Sequence, residues 1–344
     1  MEIIEIKSLQ DKELKTFFEL PKEVYKNDSI YIAEDIEQIK QRLNFTVDEN
    51  KPQTWPFIVQ DESGPLARVV AISHPKAKDK KGNKIGWLGY FEALKNEFDA
   101  VKFLLECCEE KFCNNNIKEI FAPKLDNLYQ GLQISNFQFP QTIMTHYNPP
   151  YYLDFFKKND YKIYQRITSV IFTRDNYNAK HYESNDITIR TFNRKDLSHE
   201  IDVYHYLSNM VFSGRFDYVN RELFESEQLV KSLLPIIDDD LIIIAEDSEN
   251  NPVGYLICLP DYNQLKKEGK LDRARIITIG VLTEYQRKNI AGSMGSLLLE
   301  NLLKKNYQTL EGSIIMKVNI PPQKLAKKFG AIKGREFVLL RKKI

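Results

Sequence analysis

The sequence predicts an α/β protein of the α+β kind: two tandem copies of one unit, each a mixed sheet covered by helices. Three observations carry this. An apolar hairpin, a third strand, a helix with one apolar face and a fourth strand occur in that order twice. Equivalent elements lie roughly 190 residues apart throughout, and a constant offset over several elements points to duplication. At 344 residues the chain is long for one typical domain and comfortable for two.

In the first copy, Pro56 to Val59 and Leu66 to Ile72 flank the polar turn Asp61-Glu62-Ser63-Gly64-Pro65, which reads as a β-hairpin. In the second, Leu241 to Ala245 and Val253 to Cys258 flank Asp247 to Pro252, with a proline at the matching place. Third strands follow at Ile85 to Phe91 and Arg275 to Leu282. The next helix of the first copy carries Val101, Leu104, Leu105, Cys108 and Phe112, and that of the second carries Ile290, Met294, Leu297, Leu298 and Leu302. Both sets recur at helical spacing and form one face for covering a sheet. Fourth strands are expected at Ile117 to Phe121 and Gly312 to Val318. The first copy closes with Tyr147-Asn148-Pro149-Pro150-Tyr151-Tyr152, where Asn148 is expected to cap a helix, Pro149 to take its first position, and the tyrosines to pack its start. The polar run Arg174 to Asn185 reads as the boundary, giving domains 1–178 and 186–344.

Hydrophobic content of 42% and charged content of 28% fit an ordinary globular chain. The formal net charge of +1 supplies no global field, so neither nucleic acid nor membrane is expected as a partner. The basic runs Lys76 to Lys84 and Lys324 to Arg335 read as solvated faces. Cys107, Cys108 and Cys113 share one expected helix and Cys258 stands alone, without metal-ligand spacing, so no metal is expected and reduced thiols place the protein in the cytoplasm. Met1 to Glu5 lacks the order of a secretory signal, and no apolar run reaches membrane-spanning length. The histidines offer no Ser-His-Asp pattern.

The most informative stretch is Ile276 to Gly292, an apolar strand, a short polar turn and the start of a long amphipathic helix. Amides at a helix start have no intrahelical acceptor, and the helix dipole adds positive charge there. A pyrophosphate suits such a site.

Within that stretch Gln286-Arg287-Lys288-Asn289-Ile290-Ala291 resembles the Gln/Arg-x-x-Gly-x-Gly/Ala turn of the GNAT acyl-CoA N-acyltransferase superfamily, with Asn289 at the inner glycine. Asn tolerates the left-handed backbone such a turn needs. Asn319, Leu325 and Gly330 keep the spacing of the superfamily's closing motif, and Ala326 stands at its tyrosine. The first half is similar to uncharacterised bacterial GNAT-like proteins through Phe91-Glu92 and the run Tyr147 to Tyr152.

The resemblance implies a tandem GNAT protein that moves an acyl group from acetyl-CoA or another acyl-CoA to the amine of a small molecule. By resemblance, backbone groups of Ile279, Gly280 and Val281 pair with the pantetheine arm, the amides of Arg287 to Ala291 hold the pyrophosphate, and Gln286 and Asn319 belong to the same site. Tyr255 and Tyr285 are the weak candidates for a catalytic group, and the strand itself offers no carboxylate base. The acceptor is expected near Phe212 to Tyr218, with Asp217 and Arg215 as charged candidates. The turn Glu92 to Phe98 carries two carboxylates and no glycine, which argues against acyl-CoA in the first half. Two other functions stay open: a non-catalytic acyl-CoA-binding or regulatory module, and a Fem-type aminoacyl transferase. Exposed sheet edges are compatible with pairing into a homodimer.

Overall fold

The computed structural model describes residues 1–45, 48, 50–125, 130–177, 186–215 and 218–344, with the backbone alone at 313 and 314. The chain forms two compact units. One comprises residues 1–141, 145–167 and 336–344, the other residues 142–144 and 168–335. They differ from a single cut at 178–186 because the last strand of the chain completes the sheet of the first unit. Most of the polar run expected as the boundary lies outside the described residues.

The first unit holds β1 (Glu2–Glu5), α1 (Glu13–Val24), α2 (Ile36–Arg42), β2 (Gln53–Asp61), β3 (Gly64–Lys78), β4 (Lys84–Ala93), α3 (Phe98–Asn114), β5 (Glu119–Ala122), β6 (Leu132–Gln133), α4 (Tyr152–Lys158) and the start of β7 (Lys162–Thr173). The second holds the end of β7, β8 (Ile187–Thr191), α5 (Leu197–Phe212), α6 (Leu223–Leu233), β9 (Ile242–Asp247), β10 (Pro252–Pro260), α7 (Tyr262–Glu268), β11 (Arg273–Val281), α8 (Ile290–Lys304), β12 (Thr309–Met316), α9 (Ile320–Lys328) and the start of β13 (Ile332–Lys343). The end of β13 belongs to the first unit, where Leu340 to Lys343 pair antiparallel with Ala122 to Glu119.

Each unit repeats one plan. In the first, β1 to β4 pair antiparallel in order and β5 joins β4 in parallel. In the second, β8 to β11 pair antiparallel and β12 joins β11 in parallel. Both hairpins close on an aspartate. Asp61 Oδ1 accepts the Ser63 N–H at 2.8 Å, and Asp247 Oδ1 accepts those of Glu249 at 3.0 Å and Asn251 at 2.9 Å. A short acceptor side chain satisfies the backbone donors of such turns.

The covering helices bury the faces their spacing announced. All five expected side chains of α3 are buried, as are Ile290, Met294, Leu298 and Leu302 of α8, with Leu297 partly so. Each full burial contributes on the order of 1.5–3 kcal/mol. Two expectations are corrected. Asn148 does not cap α4 and Pro149 does not open it, since the helix starts at Tyr152. Asn148 Oδ1 accepts the Gln133 N–H at 2.8 Å and its Nδ2 donates to the Gln133 carbonyl at 3.2 Å, so it braces β6 instead.

The parallel pair of each unit opens partway along. β4 pairs with β5 at Gly86↔Ile120 and Trp87↔Phe121, then runs on to Ala93. β11 pairs with β12 from Arg273↔Thr309 to Arg275↔Glu311, then runs on to Val281. Beyond these pairs the register gives the strand no parallel neighbour.

Candidate functional site

In the second unit the open stretch of β11 leads directly to the start of α8. Thr278 pairs with Ile257 and Ile276 with Cys258, so Ile277 is an extra residue that bulges β11 where it leaves β12. A side chain at Gly280 would place Cβ 2.6 Å from Val211 and 3.1 Å from Tyr255, so only glycine lets α5 lie this close. A 3-10 turn, Thr283–Tyr285, follows, and then the exposed residues Gln286 to Asn289. Arg287 and Asn289 both take left-handed backbone, with φ of 67° and 61°. That is the conformation the sequence requires of Asn289, and alternating left- and right-handed residues turn successive N–H groups toward one point. The first turn of α8 has no acidic residue, and no side chain caps it. The helix start thus keeps its positive character and is accessible.

Below the point of divergence lies a buried ionic cluster. Glu311 of β12 pairs with Arg335 and accepts the Thr142 hydroxyl at 2.6 Å, while Arg275 donates to the Ile143 carbonyl at 2.7 Å. Burial pushes the Glu311 carboxyl up, but Arg335 and Arg275 outweigh it and hold it below the usual carboxylate range.

The residues singled out in the sequence fall as follows. Ile279, Gly280 and Val281 occupy the open part of β11. Gln286 Nε2 donates to the Val281 carbonyl at 3.3 Å, tying the turn to the strand end. Lys288 Nζ lies 4.8 Å from the centre of the Tyr285 ring. Ile290 is the buried first residue of α8, with Ala291 next to it. Asn319, exposed, starts α9. Ala326 is 8% exposed and packs into the core with Phe329 and Met294, so at this place there is a methyl and no hydroxyl.

The two tyrosine candidates differ. Tyr255 faces Gly280 across the β10–β11 pair, is 3% exposed, and meets the Tyr204 ring edge-on at 6.3 Å. Burial pushes its hydroxyl well above the ordinary range, so it stays protonated. Tyr285 donates its hydroxyl to Asp247 at 2.9 Å, which pins it to the β9–β10 turn. Of the expected acceptor loop, Phe216 and Asp217 lie outside the described residues, and the Arg215 guanidinium lies 5.4 Å from the Phe212 ring centre. Among the described residues no cluster of three or more His, Cys, Asp or Glu side chains is placed to hold a metal.

The first unit contains a site that reasoning from the sequence missed. Where β4 leaves β5, a pocket is walled by Tyr31, Tyr90, Glu92, Tyr147, Tyr152 and Phe156 among others. Glu92 is 8% exposed, and burial pushes its carboxyl up to about 7 despite the nearby Arg68 guanidinium. The Tyr152 hydroxyl donates to Glu92 at 2.6 Å and accepts the Ala93 N–H at 2.9 Å. The signal available was the pair Phe91-Glu92 with the tyrosine run, which carried a resemblance but no geometry.

This geometry defines the class: two units of mixed strand pairing, each with a splayed parallel pair, one of them followed by an exposed turn at a helix start, make a tandem GNAT fold. Independently of the geometry, residues 208–331 match the model of the Acetyltransferase (GNAT) family. Similar solved structures cover the whole chain at low identity and speak to the fold. A tandem GNAT protein from the clavulanic acid biosynthesis pathway has a TM-score of 0.65 at 10% identity, over 99% of this chain and 98% of that one. A GCN5-related N-acetyltransferase from Sphaerobacter thermophilus has a TM-score of 0.60 at 13% identity, over 99% and 95%. A probable N-acyltransferase from Enterococcus faecalis V583 has a TM-score of 0.59 at 13% identity, over 100% and 72%. None of the curated proteins matches the sequence. Among the described residues no helix is long and apolar enough to cross a membrane.

Proposed function

We propose that this protein transfers an acyl group, acetyl in the first instance, from acyl-CoA to the amine of a small molecule, with the CoA held by the second unit. The observation that carries the reading is the turn Gln286 to Asn289, with left-handed Arg287 and Asn289 and an uncapped, acid-free helix start behind it. The amides of Arg287 to Ala291 would hold the pyrophosphate, and the Arg287 and Lys288 side chains lie where they can add charge. The backbone groups of Ile279 to Val281 on the side away from β10 would bond the pantetheine arm and the acyl carbonyl oxygen.

Acyl-CoA, when bound, supplies a thioester carbonyl open to attack by an amine. The chain's part is to align the two and handle two protons. Tyr255, beside Gly280 and held protonated by burial, would donate one to a departing thiolate. Ala326 has no proton to give. A net charge of +1 favours a small acceptor over tRNA, and four free thiols suit a reducing, cytoplasmic setting.

The test is thiol release when the protein meets acetyl-CoA and a panel of primary amines. Release dependent on both supports the reading. Tight acetyl-CoA binding with no release for any amine would favour the second reading, a binding or regulatory module, which the methyl of Ala326 and the carboxylate-free β11 support.

A further inference from the structure

The pocket of the first unit has a chemistry of its own. Its wall is shaped by an irregularity in β4. Arg68 pairs with Glu92 and Val70 with Gly89, so two residues of β4, Tyr90 and Phe91, stand opposite the single Val69. Tyr90 takes φ of 52°, a conformation that a bulky residue adopts only when its surroundings impose it. Bulges of this kind re-aim side chains, and here the residues beyond the bulge include Glu92.

Glu92 is held rigidly. The Tyr152 hydroxyl has both its roles fixed, accepting from Ala93 and donating to Glu92. Tyr151 donates to the Ala93 carbonyl at 3.0 Å, and Tyr147 donates to Asp28 at 2.6 Å. Tyr25 stacks on Tyr31 at 3.7 Å, which fixes the Tyr31 wall. A carboxylate in such a place costs free energy unless a cation meets it. Arg68 meets that need only in part. Its Nη1 donates to the Phe17 carbonyl at 2.7 Å, its guanidinium lies 4.5 Å from the Phe17 ring, and its Nε has no acceptor. Among the described lining residues none is Lys or Arg, and Glu34 adds an exposed acid at the mouth.

The remaining space selects size. About 40 Å³ is open to the centres of water-sized groups, and one water needs roughly 10–15 Å³. That admits an ammonium head group with a short alkyl stem and is too small for a nucleotide. Aromatic faces around a carboxylate suit an alkylammonium ion, through ring quadrupoles as well as charge.

We infer that the first-unit pocket binds a small organic ammonium ion, with Glu92 as its counter-ion and the tyrosine rings as its walls. The site does not depend on acyl-CoA binding by the second unit. The groups facing Glu92 are Tyr25, just past α1, Tyr31 and Glu34 of the α1–α2 connection, Arg68 of β3, His146, Tyr147, and Tyr151 and Tyr152 at the start of α4. Burial raises Tyr25, Tyr31, Tyr151 and Tyr152 above their ordinary range, so they stay neutral through pH 8.

The experiment is calorimetric titration of methylammonium, n-butylammonium and putrescine into the full chain without CoA, with n-butanol and butyrate as controls. The expected result is saturable binding of the ammonium compounds alone. Their affinity should fall about tenfold per unit as pH drops below about 7, with proton release on binding near that pH. Glu92→Gln should weaken binding at least tenfold and flatten the pH profile. His146→Gln, with Glu92 intact, should keep the profile. Absence of ammonium binding to the wild type, equal binding by n-butanol or butyrate, or an unchanged profile in Glu92→Gln would overturn the inference. Because the wild-type profile is itself diagnostic, a Glu92→Gln chain that fails to fold leaves the test standing. No arm contains CoA, so the acyltransferase reading can fail or hold separately.

Discussion

The two units of this protein share a frame and differ in where they put charge. In the second, the turn after β11 is exposed, carries Arg287 and Lys288, and opens on a helix start without acids. In the first, the turn after β4 also contains a left-handed asparagine, Asn96 with φ of 72°, but Glu97 sits at the cap position of α3 and Asp99 in its first turn. The helix dipole there is answered by the chain's own carboxylates, so an incoming pyrophosphate meets repulsion. The buried acids differ in the same sense. Glu311 has Arg335 in contact and is held ionised, whereas Glu92 is buried with incomplete compensation and pushed up to about 7. A duplicated scaffold can thus keep its sheet and helices while exchanging an anion site for an acidic pocket, because few side chains set the sign of each groove.

The largest expected effect tests the compensated acid. Glu311→Gln leaves Arg335 buried without its counter-ion and should cost roughly 3–5 kcal/mol in urea denaturation followed by far-UV circular dichroism. A loss below about 1 kcal/mol would mean that the Arg335 pair is not what anchors the base of the splay.

Next comes the uncompensated acid, through pH. A carboxyl raised in the folded state binds more protons folded than unfolded, so its stability contribution is greatest at low pH and is lost as pH rises from 4.5 to about 7. The span corresponds to roughly 3 kcal/mol. Glu311, held low, works in the opposite direction, its contribution being present above 4.5 and lost as pH falls below that. Trp55 and Trp87, the two tryptophans of the chain, both belong to the first unit, so their fluorescence follows the Glu92 side of the comparison. The wild type should show the decline between pH 4.5 and 7, and Glu92→Gln should not.

Gly280→Ala drives a methyl against Val211 and Tyr255 and should destabilise by roughly 1–3 kcal/mol, with weaker acyl-CoA binding because the open stretch of β11 must move. Gly64→Ala in the first-unit hairpin, where a Cβ meets nothing, should leave acyl-CoA binding unchanged. The smallest effect belongs to Tyr285→Phe. Losing the bond to Asp247 should leave the thermal midpoint nearly unchanged and turnover within about twofold. A loss of turnover beyond tenfold would make Tyr285 a proton donor and displace Tyr255.

Much of the frame was legible because it is local. Apolar runs on either side of Asp61 and Asp247 mark the hairpins, and helical spacing marks α3 and α8. The left-handed Asn289 was legible too, since few residues tolerate that backbone. What escaped is set by pairing distant in sequence. β13 reaches back to Ala122 and Phe121, which nothing near residue 340 announces. Asn148 looks like a cap by its neighbours yet serves Gln133. The bulge at Tyr90 follows from the register with β3, and Glu92 is buried by tyrosines from the end of α1, from α4 and from the segment before it. A carboxylate that reads as part of a turn in the sequence becomes a pocket wall only once those elements assemble.

The most direct measurement of the central claim is calorimetric titration of acetyl-CoA into the wild type and into Asn289→Glu. The account predicts one site per chain in the wild type and at least a 100-fold loss of affinity in the variant, since a carboxylate at that turn opposes the pyrophosphate. Binding that survives unchanged in Asn289→Glu, or two equivalent sites per chain, would contradict the assignment of the cofactor to the second unit.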